Sequence, residues 1–379
     1  MTLVPIPFNV ADLAPGDLHH LTDAIRAGHI SGAGKFTALC ELDLSMRLPA
    51  SRVLLSTSCT HSLEISARLL SLQSGDEVIV PSFTFVSTAS AFAIFGAQPV
   101  FVDSDSQTLN INPALVEAAV TPRTKAICVV HYGGVSCDME ALLSIAEQHN
   151  LMLIEDNAHG LLARYKGLHL GTFGALATQS FHETKNITCG EGGALIVNDP
   201  ALVERAEILR EKGTDRSKFL RGQVDKYTWV DIGSSWVMSD LLAAILYGQL
   251  QRADTINAQR VAIWDRYHAE MATWADRYGV TRPHVPSGCE HVGHVYHLRF
   301  TTGEQRTRFI NHMKQRGISC VFHYQPLNVS PVGQRFGGFP GQCPVSEHAG
   351  ECLVRLPLFN SLSADDQSRV IDAATSFVP

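Results

Sequence analysis

Leu151-Met152-Leu153-Ile154-Glu155-Asp156-Asn157-Ala158-His159 is an apolar run closed by a carboxylate. Four consecutive apolar residues read as a strand buried on both faces. Similar runs recur at Val53 to Leu55, Glu77 to Val80, Val100 to Val102, Ala126 to Val130 and Ala194 to Val197. Helix-like stretches lie between them, at Thr60 to Leu72, Val86 to Phe95, Met139 to His149 and Ala201 to Lys212. Strands alternating with helices imply crossover units and an α/β fold with a mostly parallel sheet. Ligands of such sheets sit at the carboxyl ends of the strands, so Asp156 stands where chemistry is expected.

Beyond Ser239 the pattern changes. Ser239-Asp240 can cap a helix running through Leu246 and Leu250 towards Trp264 and Tyr267. A strand at His294 to Phe300, a helix at Arg306 to Arg316, a strand at Ile318 to His323 and a helix at Ala364 to Phe377 follow. These predict a large domain over 1–250 and a small α+β domain over 251–379. The Gly/Pro-rich stretch Pro331 to Pro344 reads as a surface loop.

The chain has 379 residues, 45% of them hydrophobic and 18% charged, the make-up of a globular protein with a large core. Its net charge of −7 argues against a nucleic-acid partner, which wants a basic surface. Nine cysteines without a C-x-x-C pair read as reduced thiols. Met1 to Asn9 has no basic start followed by an apolar run, and no apolar stretch reaches membrane-spanning length. No membrane partner and a cytoplasmic location are therefore expected.

Several motifs fail on inspection. Gly32-Ala33-Gly34-Lys35 has His29 where a phosphate loop needs its first glycine, and Phe36 where it needs Ser or Thr. His291, His294 and His297 suit neither one strand face nor a zinc spacing, so no metal is expected. The informative residues are spread over strand ends. Lys185 follows a strand-like run in Ser180-Phe181-His182-Glu183-Thr184-Lys185-Asn186; a lysine shielded there can lose its proton and act as a Schiff-base amine. Ser56 to Thr60 opens a helix after a strand, which reads either as an N-cap or as an anion site. Asp156 alone reads equally as a turn residue.

Together with Asp76 to Phe85, Gly190-Glu191-Gly192-Gly193 and Arg355-Leu356-Pro357-Leu358, these segments resemble the DegT/DnrJ/EryC1/StrS sugar aminotransferases along essentially the whole chain. The resemblance implies the aspartate aminotransferase-like fold (fold type I) of pyridoxal 5'-phosphate (PLP) enzymes. It implies that Lys185 bears the cofactor and shuttles a proton, and that Asp156 pairs with its ring nitrogen. Phe85 would stack on the ring, His159 approach its hydroxyl, and Cys59, Thr60 and Ser180 bind its phosphate. Ser235, in Gly233-Ser234-Ser235, stands where many members have an Asn that reaches the partner subunit's phosphate. Asn328 stands where close relatives have His.

Three further strings, Phe181 to Asn186, Glu211 to Thr214 and Arg221 to Trp229, look most like the branch that aminates C4 of dTDP-4-dehydro-6-deoxyglucose with L-glutamate. The resemblance implies a homodimer with shared active sites. A 3-keto or UDP-linked sugar is the alternative within the family. A PLP- or nucleotide-binding regulator is the alternative outside it. Arg210 to Lys226 holds six basic residues against three acids. It is either a solvated loop or, through Arg221 and Lys226, a contact for the nucleotide-sugar diphosphate.

Overall fold

The computed structural model describes residues 4–379. Its main sheet is built in chain order from β1 (Arg52–Ser56), β2 (Glu77–Pro81), β3 (Gln98–Val102), β4 (Thr124–Val130) and β5 (Met152–Asp156). The short strands β6 (Arg164–Tyr165) and β7 (Leu168–His169) form a side hairpin before β8 (Leu176–Ser180) and β9 (Gly193–Val197) rejoin the sheet. The spatial order is β1-β9-β8-β5-β4-β2-β3. Every pairing from β8 through β5, β4 and β2 to β3 is parallel. Only β9 runs against its neighbours.

Strand side chains alternate between two covered faces, as the two-residue period requires. Leu54, Val78, Val80, Cys128, Ile154 and Leu195 pack with Leu63, Phe92 and Leu209 from helices on one side. Val53, Leu55, Ala177 and Ile196 pack with Phe36, Leu44, Leu246 and Leu250 on the other. β2, β8 and β9 are buried along their full length; β2 and β9 accordingly read as apolar runs, whereas β8 buries the polar Thr178, Gln179 and Ser180.

A second core gathers Tyr267, Trp274, Leu298, Phe309, Val354, Val370 and Phe377 around the short pair β11 (His297–Arg299) and β12 (Leu353–Arg355); the intervening β10 (Cys289–Glu290) pairs back with β6. Ile6 belongs to this core. It forms a parallel bridge with Ile318, holding the start of the described chain beside its end.

Four expectations need correction. The long helix is two, Asp240–Gln251 and Ala253–Glu270, broken at Arg252 (φ −110°, ψ 4°), whose guanidinium reaches Asp12 and Asp17. Ser239 does cap the first helix, accepting from the Leu241 amide, whereas Asp240 accepts from Thr37 and fixes the Lys35–Arg47 helix. Residues 318–323 make only isolated bridges, because no neighbouring strand offers a continuous edge. The Arg355-Leu356-Pro357-Leu358 segment is strand only as far as Arg355, ahead of Pro357, which has no N–H to donate. The stretch expected as a loop after Pro331 contains the short helix Pro331–Arg335, capped by Ser330.

Candidate active site

The carboxyl ends of β1, β2, β5 and β8 open into a cavity of about 760 Å³, closed from the far side by residues 321–324, Arg355 and Phe8. Cys59, Thr60, Phe85, Asp156, His159, Ser180 and Lys185 all line it. Seven residues scattered over 127 positions of sequence thus meet at one sheet edge.

At one end of the cavity lies the start of the Cys59–Leu69 helix. Ser58 caps it, its hydroxyl accepting from the His61 amide at 3.1 Å. First-turn amides have no intrahelical acceptor and favour an anion. Thr60 Oγ1 lies 2.7 Å from Ser87 Oγ, the first residue of the Ser87–Ala93 helix, so two helix starts converge. Gly193 must be glycine here, because a Cβ would collide with the backbone of Ser58 and Cys59.

Asp156 ends β5 and is 5% exposed. Its Oδ2 accepts from Thr88 Oγ1 at 2.8 Å, and its Oδ1 from the Ala158 amide at 3.2 Å. Thr88 is held in turn by Thr84 at 2.9 Å. Burial pushes the carboxyl above its ordinary range, against these hydrogen bonds and the field of Lys185. Among the described residues no cation forms an ion pair with it, so it has room for a cationic N–H donor.

Lys185 follows β8 on the loop after Ser180. Burial lowers its ammonium to about 8, despite the opposing fields of Cys59 and Asp156. A larger share of free amine at neutral pH is the condition for nucleophilic attack on a carbonyl. Cys59 Sγ sits 3.4 Å from Thr178 Oγ1, and burial raises its thiol far above the normal range, so it is a neutral packing and donor group.

His159 is also 5% exposed. The Gly133 amide donates to its Nδ1 at 3.2 Å, which places the ring proton on Nε2, 3.0 Å from the Tyr324 hydroxyl. Burial and the nearby Lys185 and Arg355 hold this imidazole well below the usual histidine range. His294 stacks on it at 4.2 Å.

The expected residues do not all meet. Ser235 is exposed and bridges Glu211, away from its own chain's cavity. Arg221 Nη1 donates to both carboxylate oxygens of Glu207, at 3.1 and 2.8 Å, so its charge is already engaged. Lys226 is exposed outside the cavity. Asn328 is fully buried and structural: it accepts from Ser82 Oγ at 2.6 Å and donates to Glu347 at 2.7 Å.

Sequence reasoning missed His294, His323, Tyr324, Arg260 and Arg355, all on the cavity wall. His294 was visible only as one of three regularly spaced histidines. Arg355 stood only inside a string that carries the family resemblance, and the other three gave no local signal, because packing of the far wall puts them in place. The residues present fit PLP: an unpaired buried carboxylate for its ring nitrogen, a low-pKa amine for its aldehyde, and free helix-start amides for its phosphate.

The comparisons agree with this geometry. The spore coat polysaccharide biosynthesis protein SpsC of Bacillus subtilis is 32% identical, over 98% of this chain and 97% of its own. The crystal structure of the aminotransferase TlmJ from Streptoalloteichus hindustanus superposes with a TM-score of 0.90 at 30% identity, covering 98% of both chains. Spr1654 of Streptococcus pneumoniae, solved in a PLP form, gives a TM-score of 0.91 at 27% identity and 98% coverage of both. Residues 12–375 match the DegT/DnrJ/EryC1/StrS aminotransferase family. The chain belongs to that family and is a PLP-dependent sugar aminotransferase.

Proposed function

We propose that the sugar is nucleotide-linked and that the reaction is dTDP-4-dehydro-6-deoxy-D-glucose plus L-glutamate to dTDP-4-amino-4,6-dideoxy-D-galactose plus 2-oxoglutarate. The observation that carries the amine transfer is Lys185, an amine of lowered basicity, in one cavity with the unpaired carboxylate of Asp156. The substrate assignment is supported by the strings Phe181 to Asn186, Glu211 to Thr214 and Arg221 to Trp229.

PLP, when bound, supplies the aldehyde that exchanges amines and the electron sink that lets a C–H bond next to nitrogen break. Asp156 holds a positive charge at the ring nitrogen. Thr88 and the Ala158 amide keep its two oxygens aimed. The Lys185 amine takes and returns the proton at the carbon that bears the transferred nitrogen. His159, neutral with its proton on Nε2, is a donor to an oxygen and cannot compete for that proton as a base at Nδ1.

A homodimer is part of this reading. Trp229 is 73% exposed, and Leu220, Tyr227, Ile232, Phe85 and Val86 are also exposed apolar residues. A large exposed apolar surface usually marks an interface. A second copy covering it is the setting in which Ser235 would reach the partner's cofactor phosphate. Arg221 and Lys226 would likewise lie near the nucleotide only from that side.

The test is product NMR after incubation with glutamate and 4-keto or 3-keto sugars linked to dTDP or UDP. Amination at C4 of the dTDP sugar is expected. Preference for the 3-keto or the UDP-linked substrate overturns the assignment.

A further inference from the structure

We infer that Nε2 of His294 is the hydrogen-bond acceptor for a hydroxyl of the keto-sugar, the C3 hydroxyl in the substrate proposed above, an inference that rests on that reading. His294 lines the cavity that Lys185 shares and is 7% exposed. Its backbone is pinned from behind. Arg260 donates to the carbonyls of Gly293 and His294 at 3.2 and 2.9 Å, and a Cβ on Gly293 would collide with the Arg260 backbone.

A chain of amides fixes which ring nitrogen carries the proton. Asn257 Nδ2 donates to Leu161 O at 3.2 Å, so the Asn257 atom that lies 3.0 Å from Asn186 Nδ2 is its oxygen. Asn186 Nδ2 also donates to Val292 O at 2.8 Å. Asn186 Oδ1 therefore faces His294 Nδ1 at 2.9 Å, and that nitrogen bears the hydrogen. Nε2 is left with a lone pair. Among the described residues it has no partner, yet it is not sealed off as His297 Nδ1 is, so the lone pair opens into the cavity. Burial, with the fields of His159 and Lys185, holds the imidazole well below the usual histidine range, so Nε2 accepts without taking a proton. The neighbouring rings offer nothing equivalent. His159 has both nitrogens engaged, and His323 shares its Nδ1 with the Tyr132 hydroxyl at 2.8 Å, where either can donate.

Donor counting selects the group that pairs with it. The amino donor's carboxylates, a phosphate and the sugar's ketone are all acceptors, and a lone pair repels them. An ammonium can donate, but it must shed a proton before its nitrogen attacks, and an acceptor that cannot take that proton only retains it. A sugar hydroxyl donates and keeps its proton throughout. In a 4-keto-6-deoxy sugar the carbons flanking the ketone are C3, which bears a hydroxyl, and C5, which does not. Asn186, the anchor of His294, directly follows Lys185, the residue that works at the reacting carbon. The hydroxyl beside that carbon is the one in reach.

The experiment compares wild-type, His294→Asn and His294→Gln holoenzymes that retain the cofactor's absorbance. Asn keeps a donor towards Asn186 and loses the acceptor, whereas Gln carries a carbonyl about as far out as Nε2. Stopped-flow absorbance reads the glutamate half-reaction, then amine transfer to dTDP-4-dehydro-6-deoxyglucose and to its 3-deoxy analogue. Wild type is expected to prefer the sugar with the C3 hydroxyl by about tenfold or more, the worth of one buried hydrogen bond. His294→Asn should lose that factor, treat the two sugars alike and leave the glutamate half-reaction unchanged. His294→Gln should recover part of the preference. A His294→Asn enzyme that discriminates as wild type does, or that is impaired with glutamate and not with sugar, overturns the inference. A wild type inactive with the dTDP sugar contradicts the substrate reading and the inference together; an active wild type that does not distinguish the two sugars contradicts the inference alone.

Discussion

The Tyr324 hydroxyl lies 3.0 Å from Nε2 of His159, joining the wall opposite the sheet to the residue just beyond β5. Because the Gly133 amide occupies Nδ1, His159 donates and Tyr324 accepts. The phenol's own proton is then free for another oxygen in the cavity, and burial keeps that proton on.

Replacing Tyr324 with Phe should therefore lower kcat/KM by about tenfold, the worth of one hydrogen bond to a polar partner. Stability to thermal unfolding should fall by only about 1–3 kcal/mol, the cost of leaving the His159 Nε2–H without its acceptor, since the ring's packing against Phe83 and His323 remains. Steady-state kinetics beside a melting curve separate the two effects.

Glu155 and Asp156 are neighbours in β5 with opposite duties. Glu155 is fully buried and accepts from the amides of Gly171, Phe173 and Gly174 at 2.7 to 2.8 Å, and from His131 Nε2 at 2.9 Å. Glu155→Ala strands four donors and should cost about 3–5 kcal/mol, read as a shifted midpoint in urea.

Asp156→Asn should do the reverse. The folded carboxyl is raised by burial, so at neutral pH the apoenzyme bears the full penalty of an ionised buried group. Its removal should leave the apoenzyme at least as stable at pH 7. Cofactor affinity should fall by an order of magnitude or more, as a pyridinium loses its anion. Apoenzyme melting and equilibrium dialysis with PLP check both halves.

Lys185 gives a pH signature of known sign. Its folded value, about 8, lies below the ordinary 10.5, so between these limits the unfolded chain holds more protons. Apoenzyme stability from this group thus rises with pH across that window. Lys185→Met should be more stable than wild type at pH 7, with the advantage shrinking towards pH 10. PLP attachment to wild-type apoenzyme should quicken about tenfold per pH unit below pH 8 and level off above it.

Much of this site was legible from residues alone, and for a physical reason. Asp156 closes an apolar run, Ser180 ends the strand-like β8 and Lys185 lies just after it, and parallel topology carries such ends to one edge. Tyr324 and His323 gave no such sign, since their segment is neither a regular strand nor a helix and is placed by isolated bridges, and Arg355 ends a strand of the small second sheet, not of the main one. The break at Arg252 was equally silent: helix propensity does not register ion pairs to Asp12 and Asp17, more than 200 residues away. The pairing of Arg221 with Glu207 was equally hidden, because local charge says nothing about an acid 14 residues away.

The most direct test of the central claim is single-turnover absorbance of Lys185→Ala reconstituted with PLP, mixed with glutamate and then with the keto-sugar. The account predicts a variant that binds PLP without the covalent band and forms no amino sugar, whereas wild type bleaches with glutamate and recovers on adding sugar. Turnover by the variant at a rate near that of wild type would contradict it.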